Sequence, residues 1–440
     1  MSKTLEQTHY TCAIGALQSV VAIKRAIPIL HSGPGCGMKV TGLIGEGEGE
    51  RGGNTIPCTN ASETEVVFGG AEKLKKIIDG SLKIIDADLY VVLTGCTSDI
   101  VGDDIARVVE PYQDRNIPLV YAETGGFKSS NYISHEHVVN AIVDQYSDKF
   151  RDGNKTAKGL VNLFATVPYQ DPFWDGNLAE LKRVLEGIGL TVNVLFGQES
   201  EGLSEWRTLP NAEFNIVASS WVGLGIAEHL REKYKTPYVH FPYLPVGGKE
   251  TTKFLRQVVE FGDLDRGRAE KFIQTEEKKF YFFLDRSVDY TLEFRYGLPR
   301  KFYSLLDASY SLGFSKFLLN ELGLIPLTQY IVDDTPEDYR DGIRQEFEHL
   351  SKYRGARVEF EDDGGDVQNR IEDEAKGEEG RLLILGSSWE RDLAKKLSAD
   401  LLIVNVPVVY RLILDSGYAG YHGGLRLAEE IYTKVLDTFY

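Results

Sequence analysis

The stretch DLYVVLTGCTSDIVGDD, residues 88–104, decides the fold class. It opens on the unbroken apolar run Leu89, Tyr90, Val91, Val92 and Leu93, as a strand buried on both faces requires. The run stops at Gly95, so Cys96 stands at the carboxyl end of that strand with a helix start behind it. In parallel sheets ligands gather at such strand ends, and the amide groups of the following helix N-terminus favour an anionic group there. Outward from this stretch the same rhythm recurs. Strands are predicted at 27–31, 88–94, 119–123, 160–167, 191–196, 214–219, 238–243, 302–307, 327–332, 381–385 and 401–406. Helical patterns lie between them at 71–82, 177–188, 222–234, 251–261 and 313–322. This alternation argues for an α/β chain of doubly wound, Rossmann-like domains with mainly parallel sheets.

The chain has 440 residues, enough for about two to four domains. A polar stretch at 147–158 separates a first unit from a second. The charged segment 263–279 reads as a long linking helix, and the acidic, Gly-rich segment 361–380 as an exposed loop with a short helix. Three units are therefore expected, at 1–155, 156–278 and 279–440, the last closing on a C-terminal helix. Sixty-six acids against 49 Lys and Arg leave a net charge of −17, which argues against nucleic acid as a partner. No apolar run is long enough to span a bilayer, and the first residues lack a signal-peptide core, so a cytoplasmic protein is expected.

The cysteines are few and clustered. Cys12, Cys36, Cys58 and Cys96 all fall in the first quarter of the chain, unlike the spread of a secreted disulfide scaffold. A single buried thiol is ordinary core material, but four so close together point to a local metal site. Cys12 sits in HYTCAIGAL, Cys36 in GPGCG, and Cys96 follows the strand described above. The spacings, 24 residues and then 60, match no zinc knuckle. Sulfurs converging from three separate turns suit a large iron–sulfur cluster.

In order, these motifs are C-x-x-G-A, H-x-G-P-G-C-G, E-x-x-V-x-F-G-G (residues 63–70) and T-G-C-x-x-x-I-V-G-D-D. The series resembles the component 1 proteins of nitrogenase and their relatives. PYLPVGGKETTKFLRQV and the closing SGYAGYHGGLRLAEEIYTKVL extend the resemblance along essentially the whole chain. The resemblance implies the nitrogenase component 1 fold, with the first unit binding the cluster. It also implies that Cys12, Cys36 and Cys96 are thiolate ligands to a P-cluster-type or simpler iron–sulfur centre, shared with a related chain. Cys58 falls where the family has a cysteine that is not a ligand, and is read as structural. In this family the cofactor-bearing chain uses a cysteine of its second domain, and no cysteine follows Cys96 here. The chain therefore looks like the beta-type (K-type) subunit, with no catalytic residues of its own. Its implied partners are a D-type (alpha-type) chain holding a nitrogenase-type cofactor, in an α2β2 heterotetramer, and an ATP-hydrolysing iron protein. His422 is read as a packing or hydrogen-bonding residue.

Two departures from the family's molybdenum nitrogenase are visible. Cys12 lies almost at the start of the sequence, and Gly126, in ETGGF, replaces a serine whose hydroxyl ligates the oxidised cluster. They point to a nitrogenase-like reductase such as methylthio-alkane reductase. A dinitrogen-reducing beta subunit, a tetrapyrrole reductase subunit and a cofactor-assembly scaffold remain as alternatives within the family. A periplasmic-type binding module and a sugar-nucleotide transferase are the alternatives outside it. GPGCGMK lacks the G-K-[ST] of a phosphate-binding loop, so ATP binding belongs to a partner. Asp103 and Asp104 read as helix caps, His135 and His137 as an exposed helix start, and His31 as a backbone hydrogen-bonder. Ser129 and Ser130 are not read as substitute ligands. Tyr281, Tyr290, Tyr296 and Tyr303 read as packing residues.

Overall fold

The protein is described by a computed structural model covering residues 14–38, 56–153, 155–294, 299–361 and 363–437. Three parallel sheets follow one another along the chain. The first contains β1 (Ala26–His31), β2 (Leu89–Thr94) and β3 (Leu119–Ala122), in that spatial order. The second orders β4 (Ala157–Phe164), β5 (Thr191–Asn193), β6 (Ala212–Ala218) and β7 (Tyr238–Phe241) as β5-β4-β6-β7. The third contains β8 (Lys301–Leu306), β9 (Ile325–Ile331), β10 (Val358–Phe360), β11 (Leu382–Gly386) and β12 (Asp400–Ile403). Its order is β10-β9-β8-β11-β12.

The first sheet shows why its sequence is apolar on both faces. Leu89, Val91 and Leu93 face the main core, while Tyr90 and Val92 face a second cluster formed with Leu74, Ile78, Ile105 and Val109. The latter four come from helices Ala71–Ile84 and Ile105–Gln113, which cover that face. Two-residue alternation between covered faces leaves no place for a polar side chain. In register, Ile29 pairs with Val92 and His31 with Thr94, so both strands end at the same level.

Several expectations need correction. β10 is not anticipated, because Val-Glu-Phe is too short for a periodic signal. The segment 361–380 is not mainly loop. It contains the 12-residue helix Gly364–Ala375, which buries Val367 and Ile371 and is capped by the Asp363 carboxylate. The linking helix extends over Arg266–Phe294 and runs straight through the 278/279 position. β5 stops at Asn193 because Leu195 turns into the left-handed region, with φ of 66°. β12 ends at Ile403, where the amides of both Val404 and Asn405 converge on the Gly386 carbonyl. The C-terminal helix Gly420–Asp437 packs on helices Gly247–Phe261 and Arg266–Phe294, and the Gly420 N–H donates to Pro245 O at 2.7 Å. Among the described residues, no helix is long and apolar enough to cross a membrane.

Candidate metal centre

The carboxyl ends of β1, β2 and β3 lie along one edge, and two of the expected thiols are there. Cys36 lies in a helical turn (34–38) just beyond β1 and is exposed. Cys96 is the first residue of the short helix Cys96–Val101 directly after β2. The two turns touch through Ser32, whose Oγ lies 3.7 Å from Cys36 Sγ. A side chain at Gly95 would place its Cβ 2.2 Å from that same Oγ, so only glycine allows the approach. Beyond β3, the Gly126 N–H donates to Cys96 Sγ at 3.3 Å. Gly126 thus offers the sulfur a backbone donor, and it is not among the glycines with positive φ. Cys12 lies outside the described residues.

Cys58 belongs to the same edge but is held differently. Its residue bridges to Leu30, and its Sγ lies 3.6 Å from Ser32 O and 3.7 Å from Gly33 O. The Asn60 N–H donates to it at 3.4 Å. Burial pushes the Cys58 thiol pKa up, which suits a protonated thiol donating to those carbonyls.

His31 ties these turns together. Its ring lies between Thr59 Oγ1 at 3.1 Å and Asp103 Oδ2 at 2.9 Å, and is 1% exposed. Asp103 also accepts from the Gly70 N–H through both oxygens, at 2.9 and 3.0 Å. The His31 carbonyl accepts from Gly95 N–H and from Ser98 Oγ. Thr59 Oγ1 in turn receives the Ser32 N–H. The single expected role of His31, bonding backbone, is therefore incomplete: its imidazole bonds two side chains, because the strand end buries it against them. Asp103 does not cap the helix that follows it but bonds the amide of Gly70, the residue before helix Ala71–Ile84, whereas Asp104 caps its own helix, accepting from Arg107 N–H at 3.1 Å. Burial lowers the His31 pKa, and the adjacent Asp103 carboxylate partly opposes this.

Around this edge several large apolar side chains point outward. Phe68 is 84% exposed, Ile100 75%, Val67 70% and Phe127 58%, an apolar concentration unusual on a protein surface. Ser129 and Ser130 do not reach toward the thiols. Ser129 Oγ bonds Ser134 Oγ at 2.8 Å, and Ser130 caps helix Asn131–Gln145.

His135 differs from its expected exposed position. It faces inward on helix Asn131–Gln145, bonded to Ser19 Oγ at 2.8 Å, whereas His137 is exposed. Positions two apart on a helix lie about 200° round its axis, so only one of the pair can meet the neighbouring helix Ile14–Val21. Burial alone pushes the His135 pKa down to about 3. The unfolded chain then binds an extra proton between about pH 6.5 and 3, so this contribution is intact above pH 6.5 and is lost as pH falls. Buried Asp171, pushed up to about 6, acts in the opposite sense, since its stabilisation is lost as pH rises. Comparing His135→Asn with the parent therefore isolates the effect: the acid limb of stability between pH 6 and 4 should become shallower in the variant.

A second set of strand ends meets where the second and third sheets face each other. Both strand orders reverse there, between β4 and β6 and between β8 and β11, the positions where open α/β sheets usually leave a crevice. Here hydrogen-bonded side chains bridge the crevice. Tyr310 OH donates to Asp171 Oδ1 at 2.8 Å, and the Asn177 amide donates to the other Asp171 oxygen at 2.9 Å. Asn177 Oδ1 accepts from the Tyr418 and Ala419 amides. Trp221 Nε1 donates to Asp333, while Tyr418 packs edge-on against Phe173 and Phe314. His422, in the following turn, bonds Glu180 through Nδ1 at 3.0 Å, as expected of a hydrogen-bonding residue. Tyr303 is buried and Tyr281 half-buried; the side chains of Tyr290 and Tyr296 lie outside the description.

The chemistry of the first edge fits an iron–sulfur group: soft thiol donors, an N–H directed at one sulfur, and open space where a side chain at Gly35 would project. Among the described residues, no set of three His, Cys, Asp or Glu side chains is arranged to hold a metal ion. Cys36 and Cys96 would therefore need further ligands from outside that set.

The family model for nitrogenase component 1 type oxidoreductases matches residues 11–436. The chain belongs to that family, as a beta-type member. It is similar to a subunit of the light-independent protochlorophyllide reductase of Synechocystis sp., with 27% identity over 88% of this chain and 75% of that one. It is also similar to the nitrogenase molybdenum-iron protein beta chain of Methanococcus maripaludis, with 25% identity over 98% and 94%. Among solved structures, nitrogenase Cp1 at pH 6.5 superposes with a TM-score of 0.81 at 20% identity, covering 100% of this chain and 95% of that one. That last match supports the fold.

Proposed function

We propose that this chain is the beta-type subunit of an ATP-dependent, nitrogenase-like reductase, and that it holds half of a P-cluster-type iron–sulfur centre through Cys12, Cys36 and Cys96. The convergence of the β1, β2 and β3 ends on Cys36 and Cys96, bordered by exposed Phe68, Ile100 and Phe127, carries the reading. When bound, the cluster supplies one-electron relay to a cofactor. The residues of this chain orient the sulfurs, donate an N–H to Cys96 and offer an apolar rim for a partner to cover. Asp171, Asn177, Trp221, Tyr310 and Tyr418 bridge the crevice between the second and third sheets, and no cysteine follows Cys96, so a substrate cofactor belongs in the homologous alpha-type chain of an α2β2 complex. A cytoplasmic iron protein that hydrolyses ATP supplies the electrons.

We assign the substrate as a methylthio-alkane. Two electrons and two protons would convert R–S–CH3 into R–H and CH3SH. Gly126 favours this over dinitrogen reduction, since the position offers an amide where a serine ligand is expected. The likeness to a protochlorophyllide reductase chain favours a tetrapyrrole as the second reading. The complex, co-produced with its homologous chain and supplied with iron protein and ATP, should release methanethiol from a methylthio-alkane. Turnover of protochlorophyllide or dinitrogen instead would replace the assignment.

Gly126 allows a separate check. Reduced and dye-oxidised complexes should show only sulfur ligands to iron from this chain by X-ray absorption. Gly126→Ser should add an oxygen ligand after oxidation. An oxygen or amide ligand from Ser129, Ser130 or their neighbours in the oxidised parent would show that glycine here does not prevent such a change.

A further inference from the structure

The loop after β3 is fixed at its base. Thr124 N–H donates to Thr94 Oγ1 at 2.9 Å, and Thr124 Oγ1 donates to the Thr94 carbonyl at 2.8 Å, which ties the loop to the end of β2. The next four residues, Gly125, Gly126, Phe127 and Lys128, form a turn in which the Lys128 N–H donates to the Gly125 carbonyl at 2.8 Å. The Gly126 N–H that donates to Cys96 Sγ belongs to this turn.

The Lys128 side chain leaves the turn and reaches the helix that carries Cys96. Its ammonium lies 3.1 Å from Asp99 Oδ2 and 2.6 Å from Glu123 Oε2. Asp99 stands three residues after Cys96 on helix Cys96–Val101, and its side chain is 3% exposed. No other donor among the described residues reaches its buried Oδ2. A carboxylate so buried is stable as an anion only beside an opposite charge, so Asp99 holds Lys128 where it is. On its other side Asp99 rests against the turn itself, because a Cβ at Gly125 would overlap Asp99 Oδ2. Gly125 has no positive φ, so close approach and not backbone conformation demands a glycine there. The first glycine of the pair makes room for the carboxylate, and the second supplies the N–H.

We propose that Asp99 and Lys128 are positioning residues whose ion pair latches the 125–128 turn onto helix Cys96–Val101, holding the Gly126 N–H on the Cys96 sulfur and raising the reduction potential of the iron bound there. The effect on potential rests on the subunit reading above, whereas the latch belongs to the chain itself. A bond from N–H to sulfur depends on distance and direction, so a turn free to swing loses it. Such a bond stabilises the more negative, reduced form of an iron–sulfur cluster. Glu123 cannot do the same. It precedes the turn in the same loop and is 57% exposed, so its contact with Lys128 ties the loop only to itself.

Hydrogen exchange at the Gly126 amide in the iron-free chain, and the midpoint potential of the cluster in the complex with the co-produced homologous chain, test this. Asp99→Ala and Gly125→Ala should each speed Gly126 exchange at least fivefold and shift the potential negative. For Asp99→Ala the direction is diagnostic, because losing an anion near the iron would by charge alone shift the potential positive. Glu123→Gln removes the other anion beside Lys128 and should leave Gly126 exchange at the parent rate. Lys128→Arg should keep both parent values. Lys128→Met, changed at a half-exposed side chain that spares the fold, should show the fast exchange. Parent-rate exchange in Asp99→Ala and Lys128→Met, or a positive shift of potential in Asp99→Ala, would overturn the inference. A parent complex without iron would remove the subunit reading and the effect on potential, while Gly126 exchange would still decide the latch.

Discussion

Cys96→Ala should yield a folded complex that retains little of its interface iron and transfers no electrons. Cys96 begins a helix at the end of β2, and its sulfur receives the Gly126 N–H. Removing one thiolate leaves an iron a ligand short and labile. Cys36→Ala should behave alike, since Cys36 is exposed on the same edge and its loss removes little packing. Cys58→Ala provides the contrast. That thiol is half-buried against the Ser32 and Gly33 carbonyls, so its loss should cost about 1–2 kcal/mol of stability and leave the iron in place. Iron counted per complex and a denaturation curve for each variant decide the matter. Equal iron loss in all three would make Cys58 a ligand.

His31→Leu should be the most disruptive change outside the cysteines. It leaves Asp103, with its side chain 8% exposed, facing a hydrocarbon where an imidazole had bonded it, and leaves Thr59 without its ring partner. The loss should be about 2–4 kcal/mol, because a buried carboxylate loses a charge-assisted bond. The turns bearing Cys36, Cys58 and Cys96 are tied to one another through His31, Thr59 and Ser98, so they should loosen together. In the iron-free chain, Cys36 and Cys96 should then react several-fold faster with an alkylating reagent. His31→Gln, which can still donate toward Asp103, should recover part of both losses. Unchanged stability and unchanged thiol reactivity in His31→Leu would show that the clamp is incidental. Gly70 belongs to the same clamp: a side chain there would place Cβ 2.6 Å from His31 Cε1.

The strands were readable because buried parallel strands must be apolar on both faces, and a run such as Leu89–Thr94 has no other economical use. Their ends were less readable. β5 stops where Leu195 turns left-handed, which no local residue type announces. The extent of helix Gly364–Ala375 was masked by its acids, since Val367, Ile371 and Ala375 are the apolar side chains that mark its inner face. His135 misled for the same reason. A polar residue in a polar-looking segment is buried only because helix Ile14–Val21 supplies Ser19 as its partner.

The amino-acid sequence by itself determined the α/β class, the strand-end cysteines, the family and the lack of any thiol beyond Cys96. These follow from properties carried along the chain: apolar periodicity, the glycines that permit close turns, and residue identity. Tertiary structure alone decided that Asp103 serves His31 and Gly70 and that Gly126 gives an amide to Cys96. It also decided that Asn177 and Tyr310 bridge the second and third units. Each of these joins residues tens to hundreds of positions apart. A hydrogen bond depends on distance and direction within a fraction of an ångström, which only the assembled sheets and helices set.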